Sequence, residues 1–230
     1  MKRSIRMFFA AAVFAAAFGF AGTADASGQV MTEILNRMDA HNKALSSLRA
    51  NVTMEKMNSQ LGGVVDKTEG TVQYLPQRRG NPYMRVDWVR PDESLAVVNK
   101  QYVLFRPGLK QAYTGNTDKA QGNAKAGGAL AFINMSRAQL RQNYDSTFIG
   151  EATLSNGTKT WHIRLTPKVK TNYQWAEVWV DANGMPVQTR ILEANNDTTT
   201  VLLSNIQKNV KIQPSAFKIN LPKGTQILKS

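Results

Sequence analysis

Two histidines, His41 and His162, are the only imidazoles in the 230-residue chain, and there is no cysteine. Without a thiol there is no disulfide framework, no Cys-based zinc site, no catalytic cysteine and no residue to acylate as a bacterial lipoprotein. The histidines lie far apart in sequence, and neither falls in a metal-ligand spacing. A lone His seldom forms a site, so each is read as a surface or half-buried side chain. Asp87, Asp92 and Glu93 are the nearest thing to a carboxylate cluster, but Pro91 between them marks a strand end and turn, and nothing nearby supplies a nucleophile. Nucleophile-elbow, phosphate-loop, dinucleotide and EF-hand patterns are all missing. A serine enzyme built from a distant Asp and one of these histidines has no positive support. No catalytic residue, metal or cofactor is expected.

The elements that must position any site begin at the N-terminus. Lys2, Arg3 and Arg6 precede an apolar run from Met7 to Ala21, then Thr23-Ala24-Asp25-Ala26. The run is short for a membrane span, and Ala24 and Ala26 are the small residues a signal peptidase needs, so residues 1–26 read as a secretory leader. One domain, 27–230, is expected to follow. Lys and Arg number 29 against 16 Asp and Glu, and losing Lys2, Arg3, Arg6 and Asp25 lowers the net charge from +13 to +11. A basic exported protein meets no chromosomal DNA, and no nucleic-acid recognition signature is present, so phospholipid head groups or an acidic partner fit the charge better. The same charge also keeps copies of the protein apart.

Val30, Met31, Ile34, Leu35, Met38, Leu45 and Leu48 recur mostly at three- and four-residue spacings, which predicts an amphipathic helix of about five turns. From Asn51 the period changes to two. Strands are expected at Val64 to Leu75, Tyr83 to Val89, Leu95 to Val98, Tyr102 to Arg106, Ser146 to Leu154, Thr160 to Thr166, Glu177 to Asp181, Val187 to Glu193 and Thr198 to Ile206. Asn156-Gly157 and Asn183-Gly184 are hairpin dipeptides, which favours an antiparallel meander. Ala129 to Met135 is too apolar for a loop and predicts a short helix, and Ser136-Arg137-Ala138-Gln139 is a capping-box start for another. Roughly ten twisted strands must curl or split, and curling makes an apolar concavity that helices can cover. On the strand from Tyr83, residues Met84, Val86 and Trp88 share one face while Tyr83, Arg85 and Asp87 share the other.

Gly70-Thr71-Val72-Gln73-Tyr74-Leu75, Met84-Arg85-Val86-Asp87-Trp88, Pro91-Asp92-Glu93-Ser94, Ala96 to Lys100, Leu104-Phe105-Arg106-Pro107 and the closing Phe217 to Thr225 stand in an order that resembles the periplasmic lipoprotein carrier family, LolA. The resemblance implies a mainly β fold with some α: an unclosed antiparallel β-barrel, a strongly curved sheet, covered by an N-terminal helix and short lid helices. It implies a periplasmic carrier whose apolar cavity takes lipoprotein acyl chains from an inner-membrane ABC-transporter release complex to an outer-membrane acceptor, without covalent chemistry. Met84, Val86 and Trp88 are then the expected cavity lining, with Leu130, Phe132 and Ile133 on the lid. The family places a Lys-Arg-Pro where this chain has Gln77-Arg78-Arg79-Gly80-Asn81-Pro82, so Arg79, or next Arg78, is the expected lid latch. A sensor of envelope stress that binds lipid or lipoprotein on the same fold is the second reading, and a periplasmic hydrolase a distant third. The cargo is a lipoprotein or a free lipid, and a monomer is expected.

Overall fold

The computed structural model describes residues 23–77, 80–117 and 130–229. Helix α1 spans Thr23–Ala44, followed by strands β1 (Leu48–Asn58), β2 (Val64–Leu75), β3 (Tyr83–Trp88), β4 (Glu93–Val98), β5 (Gln101–Arg106) and β6 (Gln111–Asn116). A 3-10 turn at Ala131–Asn134 and helix α2 (Arg137–Asn143) lead to β7 (Tyr144–Thr153), β8 (Lys159–Pro167), β9 (Tyr173–Asp181), β10 (Pro186–Glu193), β11 (Thr198–Lys208), a 3-10 turn at Pro214–Phe217 and β12 (Gln226–Lys229). All twelve strands form one sheet in the order β12-β6-β5-β4-β3-β2-β1-β11-β10-β9-β8-β7. Two antiparallel meanders, β1 to β6 and β7 to β11, are therefore joined by the pairing of β1 with β11. The sheet does not close: β7 and β12 are its edges, and β12 pairs with β6 in parallel.

The predicted helix is shorter at its C-terminal end than its apolar spacing suggested. It stops at Ala44, and Leu48 opens β1. Leu45 and Leu48 are buried in the sheet's own core, so their spacing came from two adjoining elements that bury the same side of the chain. Two short strands, β6 and β12, were not expected. The first is rich in polar and small residues and the second has only two apolar side chains, so neither carries a strong period-two signal.

The turns also differ in detail. At Asn156-Gly157 and Asn183-Gly184 only the glycine has positive φ, and each glycine N–H bonds the carbonyl three residues back. This is a type I turn closed by a left-handed glycine rather than a two-residue hairpin turn. The two-residue turn with positive φ at both centres is instead Asn99-Lys100, between the paired Val98 and Gln101. The capping box forms as predicted: Ser136 Oγ accepts from the Gln139 N–H at 3.2 Å, and the Ser136 N–H donates to Gln139 Oε1 at 2.9 Å.

Two buried clusters fill one face of the sheet. The larger lies over β1 to β5 and β11, and the smaller joins Ile34, Leu35 and Met38 of α1 to Ile163, Leu165 and Val178 of β8 and β9. The register makes these one continuous surface, because Ile163 pairs with Val178, Val178 with Thr189, Thr189 with Val201 and Val201 with Met54. Helix α1 is fixed by the β9–β10 turn. Arg37 Nη1 donates to the Ala182 carbonyl at 2.9 Å, and a Cβ on Gly184 would sit 2.2 Å from the Arg37 carbonyl, so only glycine permits this approach.

Candidate functional site

The buried face is built by registered rows of alternate side chains. Ala50, Val72, Val86, Leu95 and Leu104 lie side by side on β1 to β5, all buried. Beside them run Leu48, Tyr74, Met84, Val97 and Tyr102. A third row brings Val52, Gly70, Trp88 and Glu93 together. Gly70 is needed there, since a Cβ would lie 2.2 Å from the Asp87 carbonyl oxygen.

Met84, Val86 and Trp88 thus do share the inner face, and Leu130 and Ile133 are buried in the same cluster. Phe132 is not with them. It packs in the α1 cluster, with its ring 6.0 Å from Tyr144. The cause is local geometry: the segment Ala131–Asn134 is a 3-10 turn, in which positions three apart point the same way. Leu130 and Ile133 therefore share one side while Phe132 turns to the other. Arg78 and Arg79, the expected latch, lie outside the described residues.

The sequence reading missed three polar features of this region. Trp88 Nε1 is buried with no hydrogen-bond partner among the described residues, an indole donor on the apolar face. At the same level Arg106 Nε lies 2.8 Å from Glu93 Oε1, an ion pair whose carboxylate is almost wholly buried, and the Arg106 guanidinium stands 5.0 Å over the Tyr113 ring. The pairing of Trp88 with Glu93 put both on the inner face, a relation that only strand register reveals. On the opposite face Arg85 chelates Asp87, with Nε 2.8 Å from Oδ2, and its Nη1 donates to the carbonyls of Ala216 and Lys218 at 3.0 and 3.4 Å. Arg85 ties the C-terminal segment to the back of β3, where Phe217 is buried against Tyr83 at 5.8 Å between ring centroids.

The residues considered for catalysis do not converge. Asp87 faces outward, bound by Arg85 and by Ser94 Oγ at 2.6 Å, while Glu93 faces inward. His41 is buried, with Nε2 lacking a partner among the described residues, and burial followed by the nearby Lys208 charge holds its pKa below the usual imidazole value. His162 stacks on Trp179 at 4.2 Å, and its Nε2 lies 3.5 Å from Glu177 Oε2. Burial lowers its pKa as well, against the opposing pull of Glu177. Glu177 is also approached by Arg164 at 2.8 Å and Arg190 at 3.9 Å, so this outward cluster is a charge-neutralising stack of Arg, Trp and His. Among the described residues no serine or threonine hydroxyl bonds either histidine, and no three His, Cys, Asp or Glu side chains gather as metal ligands.

What the geometry offers is an apolar face partly covered by a short turn, and comparison with known proteins agrees. The family model described as outer membrane lipoprotein carrier protein LolA matches residues 54–220. The chain belongs to this family. An outer-membrane lipoprotein carrier protein from Bordetella avium is 28% identical over 142 residues, an alignment spanning 61% of this chain and 63% of that relative. Among solved structures, an uncharacterized conserved protein from Thermus thermophilus superposes with a TM-score of 0.54 at 16% identity, covering 88% of this chain and all of that one. MucB superposes with a TM-score of 0.53 at 14% identity, over 90% of this chain and 66% of that one. These likenesses are of fold.

Proposed function

We propose that this LolA-family protein is a periplasmic carrier, exported by a leader at residues 1–26 and folded as one domain from Ser27. It takes the acyl chains of lipoproteins from an inner-membrane ABC transporter and delivers them to an outer-membrane acceptor, as a monomer and without covalent catalysis. The observation that carries this reading is the burial of Leu130 and Ile133, from a turn that is not part of the sheet, on the same apolar face as Met84, Val86 and Trp88. Withdrawing two such side chains costs about 1.5 to 3 kcal/mol each, whereas an acyl chain gains about 0.8 kcal/mol for every CH₂ it buries. A chain of more than about eight carbons therefore outweighs the displaced turn. Trp88 Nε1 supplies a donor that an ester or amide carbonyl of the cargo would satisfy, removing a penalty of about 1 to 3 kcal/mol for a buried unpaired N–H. No residue of the site is asked to make or break a bond.

The test exploits the opposite directions of Ile133 and Phe132. Ile133→Asp puts a carboxylate toward the proposed cargo from a turn that can lift away, so binding of a fluorescent fatty-acid probe should fall at least tenfold with a modest loss of melting temperature. Phe132→Asp places the charge among Ile34, Leu35, Met38 and Leu140, and should cost several kcal/mol of folding stability. Unimpaired probe binding by a folded Ile133→Asp variant would remove the turn from the site.

A further inference from the structure

The two ends of the sheet differ in a way that the carrier reading does not use. Turns β1–β2, β3–β4, β5–β6 and β8–β9 lie at one end, and turns β4–β5, β7–β8 and β9–β10 at the other, because successive strands alternate in direction. Eight large apolar side chains are strongly exposed among the described residues. Six of them, Leu61, Val64, Val65, Val89, Leu109 and Val169, sit at the first end, and none is on the turns of the second. The second end turns instead on Asn99-Lys100, Asn156-Gly157 and Asn183-Gly184.

The leading apolar residues are held outward. In the β1–β2 tip, Asn58 Oδ1 accepts from the N–H groups of Gln60 and Leu61 at 2.9 and 3.1 Å, and the Gly63 N–H donates to the Asn58 carbonyl. The Ser59 N–H donates to Asp197 Oδ1 at 2.9 Å, pinning the tip to the β10–β11 turn. Leu61 is nonetheless 65% exposed, and Val169, at the β8–β9 turn, 71%. The register from Lys56 through Thr199, Ile191 and Ala176 to Leu165 sets these two turns level across the sheet.

Basic residues accompany the apolar ones. Val169 stands between Lys168 and Lys170, Leu109 precedes Lys110, and Val89 precedes Arg90. Lys168 is 3.8 Å from Asp145 and Lys67 2.9 Å from Glu69, but Arg90, Lys110 and Lys170 pair with no carboxylate among the described residues. Asp66, Asp92, Glu193 and Asp197 share this end, and Asp197 is engaged by Ser59 and Asn195. Turns that present apolar side chains to water next to unpaired cations match a bilayer surface, whose acyl boundary takes the first and whose phosphates take the second. A protein partner would require a continuous complementary patch, and here the polar β10–β11 turn, Asn195-Asn196-Asp197, lies between the two leading tips in the strand order.

We infer that this end of the sheet docks on an anionic phospholipid surface, with the β1–β2 tip and the β8–β9 turn entering the head-group boundary. The inference stands apart from the cargo reading, since acyl-probe binding and vesicle binding are measured separately. Purified protein should sediment with vesicles of phosphatidylethanolamine and phosphatidylglycerol, far less with phosphatidylcholine alone, and less as salt rises. The double variant Leu61→Asp, Val65→Asp should reduce that partitioning about tenfold or more. Lys110→Glu with Lys170→Glu should weaken it and flatten its salt dependence. Ile149→Asp, a change at an exposed apolar residue on the edge strand β7, should leave it unaltered. All five positions are solvent-facing, so a thermal melt confirms that folding is retained. Wild-type protein that ignores anionic vesicles, tip variants that bind normally, or tip variants whose only effect is to dissolve a homodimer or a complex with another protein would each overturn the inference.

Discussion

At the scale of single residues, the two histidines illustrate how burial replaces chemistry. Both have pKa values held down mainly by desolvation, and neither has a nucleophile to activate. An imidazole near 6.5 in the unfolded chain gains its proton before the buried one does, so acidification favours unfolding. Stability is therefore fully present above about pH 6.5 and declines as pH falls from there toward the folded-state values. His41 should dominate, because His162 keeps Glu177 beside it to offset part of the shift. Chemical denaturation between about pH 7 and pH 5 should show a loss of stability on acidification that is reduced in His41→Asn. A wild-type denaturation midpoint that is flat across this range would contradict that assignment.

At the scale of elements, α1 is held less by its propensity than by where the β9–β10 turn meets it. Gly184 and Gly157 close turns of the same kind with the same φ of 82°, yet only Gly184 touches the helix backbone. Gly157→Ala should cost about 1 kcal/mol, the strain of a left-handed alanine. Gly184→Ala adds the collision with Arg37, and should cost at least about 2 kcal/mol more unless the helix shifts. The difference between the two urea midpoints measures the docking of α1 on the sheet. Equal losses would mean that the helix moves away freely. The C-terminal segment shows the same logic: its carbonyls accept from Arg85 and its Phe217 ring packs against Tyr83, both on the outer face of β3, and β12 beyond them pairs with β6.

At the scale of the molecule, a sheet of two meanders with unpaired edges can curl without closing, and an apolar inner face then depends on helices and turns for cover. The face bears hydrocarbon-compatible side chains over most of the strands, with the Glu93–Arg106 pair at the level of Trp88. The proposed carrier role works beyond the inner membrane, so on that proposal the exported protein should begin at Ser27 and be released by osmotic shock. N-terminal sequencing of the released protein checks this, and Met1 on membrane-bound material would refute it.

Alternation of apolar residues, turn dipeptides and the order of the Gly70, Met84, Pro91 and Phe217 segments were enough to establish the class of fold, ten of the twelve strands and the inward parity of Met84, Val86 and Trp88. Those features are local, since a strand's two faces are separated by its own pleat. Tertiary structure decided the rest. It decided where α1 stops, because Leu45 and Leu48 continue its spacing while burying in another element. It decided that Phe132 parts company with Leu130 and Ile133, because a 3-10 turn distributes side chains by threes. It brought Glu93 to Arg106, Arg85 to the Ala216 carbonyl, and the apolar turns to one end of the sheet. Each of these is a relation across strands or between distant segments, fixed by hydrogen-bond register and chain direction rather than by the composition of any one stretch.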